Sequence, residues 1–228
     1  MPDTVRLQID GPVARITLNR PEVRNAFNAE MIEELTAICA QLERREDVRV
    51  ALLMGEGPSF SAGADAAWMR ASLDFGEEEN IADALRMSDM FAAINALPQA
   101  VIGRVHGAAL GGGMGLIAVC DIVVSADDAV FGFTEVRLGI IPAVISRFVL
   151  PKIGSGWARA LYLTGQRFGA EIAMRTGLVH WIAPVQELDK AIDERIADVL
   201  AGGPGATREA KRLIAGLDGL GDGALRDL

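Results

Sequence analysis

Cysteine and histidine are scarce in this chain of 228 residues, with two of each. Cys39 and Cys120 sit far apart in apolar, helix-like stretches. That excludes a disulfide framework and leaves two buried thiols in a reducing compartment. Too few His and Cys remain for the ligand set of a structural metal site, so no metal is expected. Positive charge is also in deficit, the formal net charge being -9, and Arg44-Arg45 is followed at once by Glu46-Asp47. Such a chain repels a polyanion, so nucleic acid is not an expected partner, and a phosphorylated ligand would need cations placed locally by the fold. Long apolar runs are missing: Gly, Asp or Arg interrupts each one well before the ~20 residues a membrane span requires. The opening Met1-Pro2-Asp3-Thr4 has neither the basic nor the apolar segment of a secretory signal. A cytoplasmic protein without a membrane partner is the expectation.

Apolar residues make up 50% of the chain, enough for one domain with a sizeable core. Val5 to Leu18 reads as two short strands around the turn Asp10-Gly11-Pro12. Asn28 is a candidate helix N-cap, and Met31, Ile32, Leu35, Ile38, Cys39 and Leu42 recur behind it at helical spacing. Val48 to Met54 is a short buried strand. This strand–helix–strand order predicts a crossover unit in a layered α/β architecture. Gly55 to Gly63 is expected as loop, 64–70 as a short helix and 72–80 as a mobile acidic connection. Ile81 to Leu97 is amphipathic, with a stripe of Leu85, Met87, Met90, Phe91, Ile94 and Leu97, and Pro98 stops it. Ala100 to Val105 and Asp121 to Ala126 are strands flanking a glycine-rich loop and the helix Met114 to Val119. Beyond Pro142 the pattern is mostly helical to about residue 201.

Two loops carry the candidate chemistry, Ser61-Ala62-Gly63-Ala64-Asp65 and His106-Gly107-Ala108-Ala109-Leu110-Gly111-Gly112-Gly113. Each follows a buried strand and opens a helix. That placement aims free backbone N–H groups, and the positive end of a helix dipole, at whatever lies in front. Glycines without Cβ let a ligand oxygen come close to the backbone. A tight turn needing unusual dihedrals accounts for the glycines equally well. The spacing is not G-x-G-x-x-G and no G-K-[ST] follows, so dinucleotide and phosphate loops are disfavoured.

Phe60 to Met69, Val101 to Ser125 and FGFTEVRLGIIPAVIS at residues 131–146, continued by LYLTGQRF and GLVHWIAP, together resemble the crotonase (enoyl-CoA hydratase/isomerase) superfamily. AGADAAWM, GGGMGLIAVCD and TEVRLGIIPAVIS look most like bacterial methylglutaconyl-CoA and isohexenylglutaconyl-CoA hydratases. The resemblance implies an α/β fold, a spiral of repeated ββα units over residues 1–190, with a helical C-terminal region over 191–228. It implies an acyl-CoA thioester as substrate, no cofactor beyond the CoA portion of that substrate, and a homotrimer or dimer of trimers. The family's oxyanion hole falls on the backbone N–H groups of Ala64 and Gly112, next to Gly111. Its CoA-binding surface falls on Ala62, Asp65, Ala66 and Ala67, with Arg24 nearby; Asp65 serves equally as a helix cap. Members usually carry further C-terminal residues that form closing helices, so for the end at Gly219 to Leu228 the expectation is either a shortened C-terminal region or a disordered tail.

Glu135 matches the family's second glutamate, which exchanges a proton at Cα of the acyl chain. Its apolar surroundings, Phe131, Phe133, Val136 and Leu138, would push its pKa upward and make it a competent acid near neutral pH. A surface glutamate at a strand end is the alternative. The first family glutamate, which positions and deprotonates water, falls on Gly115. Glu135 is therefore expected to serve both proton transfers in a hydratase, with double-bond isomerisation through Glu135 alone as the nearest rival. A non-catalytic acyl-CoA-binding subunit is the reading from another class. The dehalogenase-like members share the Gly but need an aspartate nucleophile, whose position here is Ala143.

His106, with no Ser or Cys partner suggested, is expected to be structural, and His180-Trp181 to form a packing corner. Trp68-Met69 could touch the acyl pocket or the core. Arg137 would share a side with Glu135 on a regular strand and is expected to pair with a local acid. Arg147 is expected on a helix surface.

Overall fold

The structure, a computed structural model, describes residues 3–217. Val5–Asp10 (β1) and Val13–Leu18 (β2) form an antiparallel hairpin that pairs Val5 with Leu18 and Asp10 with Val13. Val50–Gly55 (β3) and Ala100–Val105 (β4) then join in parallel beside β2. Their near-continuous apolar runs suit strands covered on both faces.

From β4 onward the chain alternates between two sheets. Ala108–Leu110 (β5) opens the second sheet, Ile122–Ala126 (β6) returns to the first, and Val130–Gly132 (β7) and Arg167–Gly169 (β8) extend the second. Trp181–Ala183 (β9) closes the first sheet, whose order is β1-β2-β3-β4-β6-β9, against β5-β7-β8. An isolated bridge, Ser61 with Ala109, carries the second sheet toward the loop after β3. Repeated strand–strand–helix turns of this kind wind the chain into the expected spiral. The corner between β4 and β5 admits only glycine: Gly107 has φ 60°, and a Cβ there would lie 2.0 Å from the Pro58 carbonyl oxygen. The second glycine loop is therefore not all loop, because three of its residues pair with β7 as β5.

The helices follow from caps and apolar stripes. Ala29–Glu43 (α1) starts at Asn28, whose side chain accepts a bond from the Met31 N–H at 3.0 Å, and it buries the six residues named above. Ala66–Ala71 (α2) is followed by a 3₁₀ turn at Ser72–Asp74 and by Glu77–Asn95 (α3). The acidic connection expected at 72–80 is thus largely helical. Glu77, Glu78 and Glu79 occupy the first turn of α3, where negative charge suits the helix dipole. Leu85, expected on the apolar stripe, is exposed, whereas Asp83 is buried.

Gly112–Ala118 (α4) and Ala143–Thr164 (α5) pack against each other, and α5 breaks at Gly154 (φ 67°, ψ 165°), three residues after Pro151. Ala170–Arg175 (α6), Leu188–Ala201 (α7) and Pro204–Leu217 (α8) complete the described chain. Strands β8 and β9 interrupt the region expected to be helical, and helix continues past residue 201. Helix α7 crosses residue 190 and buries Ile192 and Ile196 in the same core as the sheets. The end expected to be shortened or disordered, Gly219–Leu228, lies outside the described residues. Both cysteines are buried thiols, and desolvation raises the pKa of each to about 12. Among the described residues no helix is long and apolar enough to cross a membrane.

Candidate active site

Asn25 organises the first glycine loop. It is fully buried in a left-handed conformation (φ 54°), which Asn tolerates better than most residues. Its side chain accepts from the Arg20 N–H at 2.9 Å and donates to the carbonyls of Glu56 and Ser59 at 2.9 and 2.8 Å. The Ser61 hydroxyl donates to the Asn25 carbonyl at 2.9 Å. Downstream, the Phe27 N–H bonds the Gly63 carbonyl at 2.7 Å and the Asp65 N–H bonds the Phe27 carbonyl at 2.9 Å. These bonds use the groups on either side of Ala64 and leave the Ala64 N–H without a partner among the described residues.

The second loop arrives from β5. The Gly111 N–H is bound to the Gly132 carbonyl at 2.9 Å, and the Met114 N–H to the Gly111 carbonyl at 2.9 Å. Between them, at the first position of α4, the Gly112 N–H has no partner among the described residues, as the geometry of a helix start dictates. The two loops touch through Gly63, at φ 90°. A Cβ there would stand 2.8 Å from the Leu110 carbonyl oxygen and 3.3 Å from the Gly112 nitrogen. Glycine at this point brings two unbonded main-chain donors from separate turns onto one cavity, which both Ala64 and Gly112 line.

Glu135 faces the same cavity. It begins a 3₁₀ turn, Glu135–Leu138, so it does not sit at a strand end, and Arg137 does not share its side by strand alternation. Arg137 instead lies against Gly165 and forms no ion pair among the described residues. One carboxylate oxygen of Glu135 lies 3.5 Å from where a Gly111 Cβ would be, and the other, Oε2, is buried with no hydrogen-bond partner. Desolvation raises its pKa above the ordinary glutamate value, only partly offset by a backbone hydrogen bond.

Gly115 is one turn further along α4 and has no such opening. A Cβ there would lie 2.5 Å from Ile145 Cγ2 and 2.7 Å from the Phe91 ring. The space a side chain would need is filled from α5 and α3, and Phe91 is itself locked by ring contacts at 6.0 Å with Phe27 and Phe148. No carboxylate fits at this position while both neighbours stay in place.

The cavity has a volume of about 680 Å³. Its walls are mainly apolar, from Trp68 and Met69 of α2, Leu73, Met87 of α3, and Val144 and Ile145 of α5. Leu138, Ile140 and Ile141 also line it and are exposed. Ala62 and Gly111 belong to the lining; Arg24, Asp65, Ala66 and Ala67 do not. The Arg24 carbonyl accepts from the Ala62 N–H at 2.9 Å, while Ala66 and Ala67 are exposed. Asp65 caps α2, accepting from Ala67 N–H at 2.8 Å, and pairs with Arg20 at 2.8 Å. Desolvation pushes its pKa up, but Arg20 and the α2 amides outweigh that and hold it below the ordinary value.

His106 bridges the Gly57 carbonyl at 2.8 Å and Arg104 at 3.0 Å, away from any nucleophile. His180 Nδ1 accepts from the Val123 N–H at 2.9 Å beside Trp181. Arg147 lies over the Phe148 ring at 4.5 Å. Among the described residues no three His, Cys, Asp or Glu side chains gather as a metal site. Sequence reasoning missed Asn25, Arg20 and Asp83. For Asn25 a signal existed, since Asn in a short polar run before a capped helix is a common left-handed residue.

The family model described as enoyl-CoA hydratase/isomerase matches residues 8–215. A putative enoyl-CoA hydratase of Thermus thermophilus is 36% identical over 214 residues, 92% of this chain and 83% of that protein. The short-chain-enoyl-CoA hydratase of Clostridium acetobutylicum is 32% identical, covering 93% and 81%. Among solved structures, an enoyl-CoA hydratase from Shewanella pealeana superposes with a TM-score of 0.94 at 36% identity, covering 98% of this chain and 84% of that one. AtuE of Pseudomonas aeruginosa gives 0.95 at 36% identity, covering 98% and 87%.

Proposed function

We propose that this chain, which belongs to the enoyl-CoA hydratase/isomerase family, adds water reversibly to an α,β-unsaturated acyl-CoA with Glu135 as its single acid–base group. The observation that carries the reading is the pair of unbonded N–H groups, Ala64 and Gly112, sharing a cavity with a desolvated carboxylate. Both amides donate to the thioester oxygen and bind its enolate more tightly than its ground state, an effect of about 3 kcal/mol per donor. Water oxygen bonds to Cβ as one of its protons passes to a Glu135 oxygen. The enolate then takes that proton at Cα, and Glu135 returns to the carboxylate. One group closes the cycle because the proton it accepts is the proton it gives back. CoA is part of the substrate and no separate cofactor is used.

Isomerisation of the double bond is the second reading. It is favoured by Phe91 and Ile145 filling the space at Gly115, since moving a proton between two carbons needs no bound water. A methylglutaconyl-type thioester is the finer substrate reading. Its second carboxylate would need a cation, and Arg70 lines the cavity, exposed and outside any ion pair among the described residues. The proposed setting is the cytoplasm, with assembly as a homotrimer or dimer of trimers.

A panel of enoyl-CoA thioesters, including methylglutaconyl-CoA, turned over in deuterated water tests this. Hydration yields the hydroxyacyl product with deuterium at Cα, and isomerisation yields a shifted double bond without water uptake. Binding without either product or exchange would make the chain a non-catalytic acyl-CoA-binding subunit and overturn the proposal.

A further inference from the structure

The acyl cavity is not apolar throughout. Asp83 projects from α3 onto its wall, only 9% exposed as a residue, at a helix position otherwise suited to an apolar side chain. One of its oxygens pairs with the largely exposed Arg86 on the next turn. Its other oxygen accepts no hydrogen bond among the described residues. Asn80, a turn earlier, lines the same end of the cavity.

Position along α3 shows how far this carboxylate stands from the reacting atoms. Phe91 abuts Gly115, close to the mechanistic end of the pocket. Asp83 lies eight residues before Phe91, about 12 Å along the helix axis. Met87 lies midway and lines the cavity between them. A short acyl group therefore stops before Asp83, whereas a chain of medium length reaches it.

A carboxylate oxygen in that place needs a donor. Free cavity water supplies one, but an incoming alkyl chain displaces the water and offers nothing in return, which penalises a plain hydrocarbon terminus. A second carboxylate placed against the free Asp83 oxygen has no proton to donate and sets acceptor against acceptor. A cationic terminus gains little, since Arg86 already balances Asp83 and Arg70 shares the wall. A neutral hydroxyl fits: it replaces the lost water without adding charge.

We infer that Asp83 is a specificity-determining residue of this cavity, and that among acyl chains of medium length it favours one that carries a hydroxyl near its far end, donated to the free Asp83 oxygen. The inference rests on the acyl-CoA reading above and not on the glutaconyl refinement.

The test compares a medium-chain trans-enoyl-CoA with its ω-hydroxy counterpart in the intact protein, by kcat/KM and, separately, by calorimetric binding of the two saturated acyl-CoAs. A hydrogen bond to a charged acceptor predicts roughly tenfold preference for the hydroxylated chain in both measurements. Asp83→Leu reverses the preference. The ratio is internal to each protein sample, so partial misfolding lowers both numbers and leaves it intact, and the wild-type pair decides alone if the variant does not fold. Equal values for the two chains, or a preference that survives in Asp83→Leu, overturn the inference. Absence of turnover with every enoyl-CoA sinks the proposed reaction instead, while the binding ratio still decides the role of Asp83.

Discussion

Two glycines three residues apart on α4 differ in what their lack of a side chain does. Gly112 sits at the helix start with its N–H free and facing a cavity. Gly115 lies inside the first full turn, where the missing side chain is replaced by Ile145 and the Phe91 ring. The first glycine opens the site to a ligand oxygen, and the second closes it to a second acid. Preorganised donors need backbone exposure and close approach, whereas a general base needs volume. This helix supplies the former and withholds the latter, so in the proposed reaction the proton chemistry falls to Glu135, whose carboxylate lies beside Gly111 at the start of the same helix.

The largest expected effect strikes the open side. Glu135→Gln keeps the shape of the cavity and removes the only proposed proton carrier, so kcat should fall by roughly 10²- to 10⁴-fold while acyl-CoA still binds. Undiminished turnover would end the role of this residue. On the closed side, Gly115→Glu should gain no hydratase activity and should lose about 3 kcal/mol or more in a denaturant melt, because it overpacks the core and buries a charge. Combining it with Phe91→Leu and Ile145→Gly removes the obstruction. That triple variant should recover stability relative to Gly115→Glu and raise hydration relative to isomerisation; no change in the product ratio would mean that volume is not what separates the two glycines.

A smaller effect concerns the scaffold between them. Asp65→Ala removes the cap of α2 and the partner of Arg20, for an expected loss of about 1–2 kcal/mol. Because the pKa of Asp65 is depressed in the fold, that contribution is present above its ordinary 3.8 and disappears as pH falls through the lower folded value. Wild type and variant should therefore converge in stability only in strong acid.

The smallest effect is a displacement along the pH axis. Burial raises the Glu135 pKa above its ordinary 4.5, and the ionised form is the one that accepts a proton. Activity should fall as pH drops through a midpoint above 4.5, and the residual activity of Glu135→Gln should lack that limb. An acid limb at or below 4.5 would contradict desolvation at this wall.

Much of this was legible beforehand. The spacing of Met31 through Leu42 fixed α1 and its buried face, and Asn28 marked its start because a side-chain acceptor there satisfies an orphan amide. The strands β3 and β4 followed from apolar runs bounded by loop residues. The glycine loops and Glu135 were visible through motif and resemblance. The 3₁₀ turn at Glu135, strand β5 and the helical start of α3 were not, since short elements draw their stability from neighbours and leave little periodicity of their own. Asp83 escaped for a related reason. A charged residue on an amphipathic helix is assigned to the wet face unless the partner surface is known.

By itself, the sequence determined which segments form the long helices and central strands, and which residues supply free amides and a carboxylate. Local periodicity and caps encode the segments within a few turns of chain, while the amides and the carboxylate were marked by the resemblance to a family. Only the tertiary structure decided that Gly63 and Gly112 meet, that Phe91 and Ile145 fill the room above Gly115, and that Asp83 lines the same cavity as Ala64 and Gly112. Those are distances between segments remote in sequence, set by how the sheets and helices pack.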